Sequence, residues 1–295
     1  MTRVHFLGTS AAEGFPAPFC PCPPCTRARA DGLRAARSRQ SLLINDDLIV
    51  DFGPDTYAQQ IWRGLNLLPV RYILQTHAHR DHYCPDEIRN VLHPKAILPP
   101  GHRRQLYLYG NAAVINQGKA VDGIPASQAT ANDRLLLHLL APGDTTNIGS
   151  YRVTSLPARH TQSETALLHI IENRGNAILV GYDSQIFDDA IWTGLENWGG
   201  RLDLVLLDCT MVDGLDHWPE GLERVVFKGH MSIDDNTAIR DELLARGLAD
   251  HKTQFISTHF AHMFDPHPDR IGPLFTARGL IAAYDGLVID LPAKD

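Results

Sequence analysis

The sequence predicts an α/β fold in which helices cover two sheets that pack against each other, an arrangement of four layers. Short hydrophobic runs recur between Gly, Pro, Asn and Asp residues along the whole chain, which is the pattern of strands. Helical periodicity appears in both halves, and the predicted strands outnumber the helices. Because no internal repeat, low-complexity tract or Pro/Ser-rich linker divides the 295 residues, we expect a single domain over residues 1–295.

The predicted elements alternate along the chain. The strands are expected at Val4–Leu7, Ser41–Ile44, Leu48–Val50, Arg71–Leu74, Leu135–Leu140, Tyr151–Leu156, Ala166–Ile171, Ala177–Val180, Leu204–Leu207 and Gln254–Ser257. The helices are expected at Asp55–Trp62, Pro85–Leu92, Arg103–Tyr109 and Asp234–Ala245. The dipeptide Asp285-Gly286 predicts a hairpin turn after the last strand. Gly110–Asp133 carries few periodic signals and is predicted to be a loop or a mobile lid.

Composition excludes several classes of protein. The formal net charge of −7, with no run of Lys or Arg longer than a pair, argues against a large nucleic-acid footprint. No stretch approaches 18 apolar residues, and the N-terminus lacks the hydrophobic segment of a signal peptide. We therefore expect a cytoplasmic protein without a membrane span, and a homodimer is left open. Five cysteines in such a chain favour metal binding over disulfides.

The most informative stretch is the H-x-H-x-D-H cluster at residues 77–82, which places four potential metal ligands within six residues. His77 and His79 point to the same side of an extended backbone, and a turn at Arg80 would let Asp81 and His82 face a second ion. Three imidazoles and a carboxylate suit Zn²⁺, Mn²⁺ or Fe²⁺ better than Ca²⁺ or Mg²⁺, which prefer oxygen ligands. The cluster predicts half of a hydrolytic site with two metal ions.

Three further candidates each follow a predicted strand. His160 comes after the strand that ends at Leu156, Asp183 follows the strand ending at Val180, and His259 follows Ser257. A single His or Asp at such a position is more often a capping or surface residue. Their shared placement at strand ends makes a common site the better interpretation.

The whole set resembles the metallo-beta-lactamase superfamily, in which H-x-H-x-D-H is followed by isolated His, Asp and His residues after successive strands. The resemblance implies a metallo-beta-lactamase-like four-layer αββα sandwich. It implies that His77, His79 and His160 bind one metal ion, that Asp81, His82 and His259 bind the other, and that Asp183 bridges both. Asp51 falls where the superfamily keeps an Asp that supports the ligand loop without touching metal.

A second metal site is indicated by the cysteine cluster Cys20, Cys22 and Cys25, whose three thiolates need one more ligand for tetrahedral zinc. This cluster and the glycine-rich start resemble the phosphodiesterase family of the bacterial carbon–phosphorus lyase pathway, which hydrolyses a cyclic phosphate on ribose. That resemblance implies His262 as the fourth ligand of one structural Zn²⁺. The start also resembles pyrroloquinoline quinone biosynthesis B proteins, which depart from H-x-H-x-D-H. Compared with the phosphodiesterases, we expect inserts near residues 100–133 and 211–228.

The element Gly229-His230-Met231-Ser232 supplies a further candidate. In the phosphodiesterases and in tRNA 3′-processing endonucleases, a His in a similar element contacts the phosphate or protonates the leaving oxygen. We therefore expect His230 and the ligand Asp81 to take part in catalysis.

The expected function is hydrolysis of a small, cyclic phosphodiester by water activated between two divalent ions, with Mn²⁺, Zn²⁺ and Fe²⁺ left open. The substrate would be a ribosyl cyclic phosphate or a nucleotide-like compound. Alternatives are a tRNA 3′-processing endonuclease, although no basic arm is visible, and a lactone or thioester hydrolase. A protein that binds a phosphorylated ligand without turnover is the alternative outside the enzymes.

Overall fold

Two seven-stranded sheets form the centre of the protein in the computed structural model, which describes residues 1–92, 105–121, 135–212 and 228–294. The first sheet has the strand order β14-β1-β2-β3-β4-β5-β6, and the second has the order β13-β12-β11-β10-β9-β8-β7. The strands are β1 Thr2–Gly8, β2 Ser41–Ile44, β3 Leu48–Val50, β4 Tyr72–Leu74, β5 Leu106–Gly110, β6 Leu135–Leu139, β7 Thr145–Ile148, β8 Tyr151–Pro157, β9 Leu167–Asn173, β10 Asn176–Gly181, β11 Leu204–Asp208, β12 Gln254–Thr258, β13 Ile281–Ala282 and β14 Val288–Leu291.

Helices lie on the outer face of each sheet, namely α2 Thr56–Arg63, α3 Pro85–Leu92, α4 Ala112–Val121, α5 Asp189–Trp198, α6 Ile233–Ala245 and α7 Pro268–Thr276. The helix α1 Pro23–Asp31 packs apart from them, in a small cluster with Phe15, Ala17 and Ala35. None of the helices in the described ranges is long and apolar enough to cross a membrane.

Three apolar clusters hold the layers together. Between the sheets, Phe6 and Val50 of the first pack with Ile178 and Leu206 of the second, all fully buried. A second cluster joins α3 and α4 to the first sheet, and a third joins α5, α6 and α7 to the second. The order helix, sheet, sheet, helix confirms the predicted four-layer αββα fold. Burial of this apolar area is the main stabilising contribution to such a fold.

Three predictions of secondary structure are wrong. The helix predicted at Arg103–Tyr109 is wrong over its described part, because Leu106–Gly110 forms β5 between β4 and β6, with Leu106 and Leu108 buried at the period of a strand. The loop predicted at Gly110–Asp133 is wrong over Ala112–Val121, which is α4, with its first turn capped by Asn111, whose Oδ1 accepts from the Val114 N–H at 3.0 Å. Residues 103–104 and 122–133 of these two predictions lie outside the described residues.

The predicted hairpin at Asp285-Gly286 is the third error. The two strands that flank it belong to different sheets, because Ile281–Ala282 pairs with β12 and Val288–Leu291 pairs with β1. Asp285 is buried in the crossing between the sheets, where it accepts hydrogen bonds from the Thr9 hydroxyl at 2.7 Å and the Ser38 N–H at 2.7 Å.

The two predicted inserts have different outcomes. In the first, residues 105–121 form β5 and α4, which are integral parts of the first sheet and its helix layer. The second, apart from residues at its two ends, lies outside the described residues.

Candidate metal centre

The candidate ligands lie where the parallel strands of both sheets end. Strands β3 and β4 are parallel in the first sheet, and β10, β11 and β12 are parallel in the second, so their carboxyl ends meet at one edge of the sandwich. The 77–82 cluster follows β4, Asp183 follows β10, His259 follows β12, and His160 follows the antiparallel β8. All seven predicted ligands of the dinuclear site therefore converge, although the metal ions themselves stay a prediction.

One group of side chains consists of His77, His79, His160 and Asp183, with one potential ligand atom of each lying within 4.8 Å of the others. The His79 Nδ1 and His160 Nε2 atoms are 3.0 Å apart. Asp183 directs Oδ2 toward this group, at 3.6 Å from the His77 Nε2 atom and 3.5 Å from the His160 Nε2 atom.

A second group consists of Asp81, His82, His259 and the same Asp183. Here the other carboxylate oxygen of Asp183, Oδ1, lies 3.3 Å from the His82 Nε2 atom and 3.1 Å from the His259 Nε2 atom. The Asp81 Oδ2 atom is 3.3 Å from the same His82 nitrogen. Asp183 thus turns one oxygen to each group, as a bridging carboxylate would.

Hydrogen bonds set which nitrogen of each imidazole carries the proton. The Nδ1–H of His160 donates to the Gly229 carbonyl at 3.0 Å, and the Nδ1–H of His82 donates to the Asp51 carboxylate at 2.7 Å. In both rings the Nε2 lone pair is left to face the centre. Gly229 has a positive φ of 93°, and a Cβ there would lie 2.4 Å from the His160 carbonyl oxygen, so this approach requires glycine.

Two threonines fix the proton on Nδ1 in His77 and His259, so that the Nε2 atoms of these two rings also face the centre. The Thr76 hydroxyl donates to Asp51 at 2.9 Å, so it can accept only from the Nδ1–H of His77, which is 2.9 Å away. In the second sheet the Thr210 hydroxyl donates to Asp208 at 2.8 Å and accepts from the Nδ1–H of His259 at 2.9 Å. Such bonds orient metal-ligating imidazoles and raise their basicity. Asp51 therefore lies where the sequence placed it, behind the ligands.

The backbone is strained at three of these strand ends. Asp51, Asp183 and His259 have positive φ angles of 61°, 40° and 62°, a left-handed region that is uncommon for residues other than Gly, although Asn, Asp and His adopt it more often than the rest. Strain of this kind costs about 1–3 kcal/mol per residue and is concentrated at functional sites. It turns each side chain out of its strand and toward the centre.

The donor set fits divalent metal ions. The His77 Nε2 and Asp183 Oδ1 atoms are buried and have no hydrogen-bond partner among the described residues. Burial holds the pKa of His77 well below its ordinary value, so its ring is neutral. Burial opposes ionisation of Asp183, but His259 and His82 outweigh it and hold the pKa of Asp183 well below its ordinary value. Neutral imidazoles and ionised carboxylates are the forms that bind Zn²⁺, Mn²⁺ or Fe²⁺.

His230, the predicted acid, lies against this centre. Its ring stacks on His259 with centroids 5.3 Å apart and meets His160 edge-on at 4.9 Å. Its Nδ1–H donates to Asp208 at 2.6 Å. Burial lowers the pKa of His230, but the charge and hydrogen bond of Asp208, together with the charge of Asp183, outweigh burial and raise the pKa to about 9. The imidazole is therefore fixed by one carboxylate and has its Nε2 free for another partner.

Four supporting residues were missed by the sequence analysis. Asp208 is the last residue of β11 and Thr210 follows that strand, so a search for polar residues at strand ends would have found Asp208. Thr76 adjoins the cluster. Glu164 accepts the Ala78 N–H with both oxygens, at 3.0 and 3.1 Å, and the Asn111 amide at 2.7 Å, which ties the His77-Ala78-His79 backbone to α4. Nothing in the sequence around Glu164 signals this contact.

The cysteine cluster forms a separate group at the rim. Cys20, Cys22, Cys25 and His262 place their ligand atoms within 4.8 Å of one another. The His262 Nδ1 atom lies 3.6 Å from the Cys25 Sγ atom and 3.8 Å from the Cys20 Sγ atom. All five cysteines are free thiols, and burial raises the pKa of Cys25 to about 12. Three thiols and an imidazole are the donor set of structural zinc. Cys209 is buried outside both groups and Cys84 is partly buried.

The two groups that share Asp183 are together called the dinuclear group, for the two metal ions that they are predicted to hold. A cleft of about 330 Å³ opens onto this group. It is lined by residues of that group together with Glu13, Thr161, Lys228 and His230. Its volume is at the small end of the range for small-molecule sites.

Comparisons with known proteins agree with this geometry. A model of the beta-lactamase superfamily domain matches residues 47–260. No curated protein was found to match the chain. Among solved structures, a diphosphatase described as belonging to the PhnP family is 21% identical with a TM-score of 0.70, and 99% of each chain is covered.

Two other similar structures have lower identity. The Zn²⁺-bound PqqB from Methylobacterium extorquens is 19% identical with a TM-score of 0.71, covering 98% of this chain and 100% of that one. The short form of human tRNase Z is 17% identical with a TM-score of 0.60, covering 98% and 99%. At these identities the likeness shows the fold. The match over more than half of the chain shows that the protein belongs to the beta-lactamase superfamily, as a metal-dependent hydrolase with a metallo-beta-lactamase fold.

Proposed function

We propose that the protein is a dinuclear metal phosphodiesterase that hydrolyses a small, cyclic phosphodiester. The observation that carries the proposal is the position of Asp183, which turns one carboxylate oxygen to each of two groups of imidazoles. In hydrolases with two metal ions, ions about 3.5–4 Å apart act together on one substrate. A carboxylate with one oxygen facing each group could bind both ions and hold them at such a distance.

The donor sets assign the ligands of each ion. His77, His79 and His160 would hold one ion, Asp81, His82 and His259 the other, and Asp183 both. Divalent ions bound there supply Lewis acidity, which lowers the pKa of a water and offsets charge on the phosphate oxygens. Metal analysis is needed to distinguish Mn²⁺, Zn²⁺ and Fe²⁺, because His and Asp side chains bind all three ions.

The chain itself supplies the proton for the leaving group. Because the Nδ1–H of His230 is held by Asp208, the Nε2 atom is the one that can protonate the departing oxygen. This is general acid catalysis, which typically contributes about 10²–10⁴-fold. Lys228, which lines the same cleft, offers a positive charge to the phosphate.

The size of the cleft and the charge of the protein support a small substrate. The 330 Å³ cleft suits a sugar phosphate, and the net charge of −7 does not favour a polynucleotide. The similar structure described as a diphosphatase indicates that this fold also serves cleavage of a phosphate anhydride. Diphosphates therefore belong in the assay with the cyclic esters.

The test combines metal analysis with turnover. Protein loaded with Mn²⁺ or Zn²⁺ is assayed on bis(p-nitrophenyl) phosphate, a ribose cyclic phosphate, a nucleoside diphosphate, a lactone and a tRNA precursor. We expect diesterase activity that falls about a thousandfold or more in His79→Ala and Asp183→Ala. The exposed His251 provides the matched control His251→Ala, which should keep wild-type activity. Unchanged diesterase activity in both ligand variants would overturn the proposal.

A further inference from the structure

The Glu13 side chain has no role among the groups that could hold metal, although it lines the same cleft. Its Oε2 atom is buried and accepts no hydrogen bond from the described residues. A carboxylate oxygen withdrawn from water without a donor is destabilising, unless a bound molecule provides the donor. The free protein therefore has an unmet hydrogen-bond acceptor beside its candidate catalytic centre.

The loop that carries Glu13 is held firmly in place. The Ala11 N–H donates to the Phe260 carbonyl at 3.0 Å, and the Phe260 N–H donates to the Thr9 carbonyl at 3.0 Å. The Gly14 N–H donates to the Ala11 carbonyl at 3.0 Å, which closes a tight turn around Glu13. Since Phe260 directly follows His259, the turn is fixed to the strand end that carries a candidate ligand.

The two remaining charged side chains of the cleft, Lys228 and Glu13, favour different parts of a substrate. Apart from the histidines and aspartates grouped above, the charged side chains that line the described part of the cleft are Glu13 and Lys228. Lys228 can only donate hydrogen bonds and attracts a phosphate. Glu13 as a carboxylate can only accept them, and it repels a phosphate. Its partner is therefore a neutral donor on the organic part of the substrate.

We propose that Glu13 accepts a hydrogen bond from a substrate hydroxyl, carried by the carbon next to the esterified carbon, and so selects sugar phosphodiesters over esters without that hydroxyl. The inference rests on the proposed phosphodiesterase function. The small cleft places the acceptor within reach of a group close to the phosphorus rather than at the far end of a long molecule. His262 is the competing partner, because Glu13 acts electrostatically on this ring beside the cysteine cluster.

The test uses two substrates that differ in one hydroxyl. Wild-type protein, Glu13→Ala and Glu13→Gln are assayed on 3′,5′-cyclic AMP and on its 2′-deoxy analogue, with bis(p-nitrophenyl) phosphate as an ester that has no hydroxyl. Equilibrium binding of the two nucleotides to the metal-loaded proteins is measured in parallel. Zinc content is measured for every protein.

We expect wild-type protein to prefer the ribose substrate by about 10- to 100-fold, the effect of a hydrogen bond to a charged group. The preference should disappear in Glu13→Ala and remain in part in Glu13→Gln, whereas turnover of bis(p-nitrophenyl) phosphate should not fall. Equal handling of the two nucleotides by wild-type protein, in turnover and in binding, would overturn the inference. If the Glu13 variants lose one zinc and their turnover of all three esters falls equally, Glu13 supports His262 in the cysteine cluster and does not bind the substrate, which would also overturn the inference. Failure of the proposed function looks different, because no diester would then be hydrolysed even if the ribose nucleotide bound more tightly.

Discussion

The dinuclear group and the cysteine cluster are built in different ways. The first takes its ligands from strand ends of both sheets, and His77, His82, Asp183 and His259 are all buried. The second takes its ligands from a loop, from α1 and from the short 3₁₀ helix His262–Phe264, and only Cys25 is buried.

The surroundings of the ligands also differ. In the dinuclear group, the carboxylates Asp51 and Asp208 and the two threonines orient three of the five candidate imidazole ligands, His77, His82 and His259, before any metal arrives. In the cysteine cluster, the described contacts to the sulfur atoms are few, with the Ala17 N–H donating to the Cys25 Sγ atom at 3.3 Å. The comparison indicates a centre whose side chains are oriented by the fold, and it predicts that the cysteine cluster would take its final geometry from a bound metal ion.

Among changes that leave every candidate ligand in place, the largest expected effect comes from removing the charge behind the dinuclear group. In Asp51→Asn the new side chain tolerates the positive φ of Asp51. Its single oxygen cannot replace both carboxylate oxygens, one of which accepts from the His82 Nδ1–H and the other from the Thr76 backbone N–H. We expect metal affinity and activity of the dinuclear centre to fall about 10- to 100-fold, while the zinc of the cysteine cluster remains. Mass spectrometry measures the metal content of the two sites, and kcat/KM on a diester measures the activity.

The matched control for this variant is Asp203→Asn. Asp203 accepts the Ala177 N–H at 2.9 Å at the start of β11, the opposite end from the site. The idea that the fold shapes the centre fails if Asp51→Asn and Asp203→Asn retain the same metal content and activity.

The reverse experiment removes a ligand of the cluster. Cys25→Ser keeps an acceptor for the Ala17 N–H but replaces a thiolate ligand. We expect the loss of one zinc and a fall in Tm of about 5 °C or more, since metal binding contributes to folding stability, while both ions of the dinuclear centre remain. Differential scanning calorimetry and metal analysis measure the two outcomes. Cys84→Ser is the control, and a Cys25→Ser protein with full zinc content would contradict the assignment.

The sequence could predict that the candidate ligands come together because most of them follow a positional rule. Buried strands produce short apolar runs, and polar residues just after parallel strands meet at one edge, so Asp183 after β10 and His259 after β12 could be found without coordinates. His160 was found by its place after β8, although that strand is antiparallel. The same rule reaches Asp208, which was overlooked. Glu164 could not be predicted, because its contact with the Ala78 backbone depends on how two loops pack.

The errors in the fold have similar causes. The hairpin prediction at Asp285-Gly286 failed because a turn motif does not reveal to which sheet the next strand belongs. The strand β5 was taken for a helix because a short apolar run has no decisive periodicity. The helix α5 was missed although Asp188 caps it by accepting from the Ala190 and Ile191 N–H groups, a signal that sequence alone contains.

The smallest expected effect comes from a change that alters the orientation of the candidate ligand His259 but leaves the residue in place. Thr210→Val removes the hydroxyl that lies between Asp208 and His259 without much change in volume. The His259 ring stays in place through its stacking on His230, so both ions should remain bound. We expect kcat/KM on a diester to fall by about tenfold, the low end of the range for groups that orient metal ligands. Thr210→Ser keeps the hydroxyl and should retain most of the activity. If the Val and Ser variants are equally active, orientation by this hydroxyl contributes nothing to the centre, and the contrast with the cysteine cluster then rests on Asp51 and Thr76 alone.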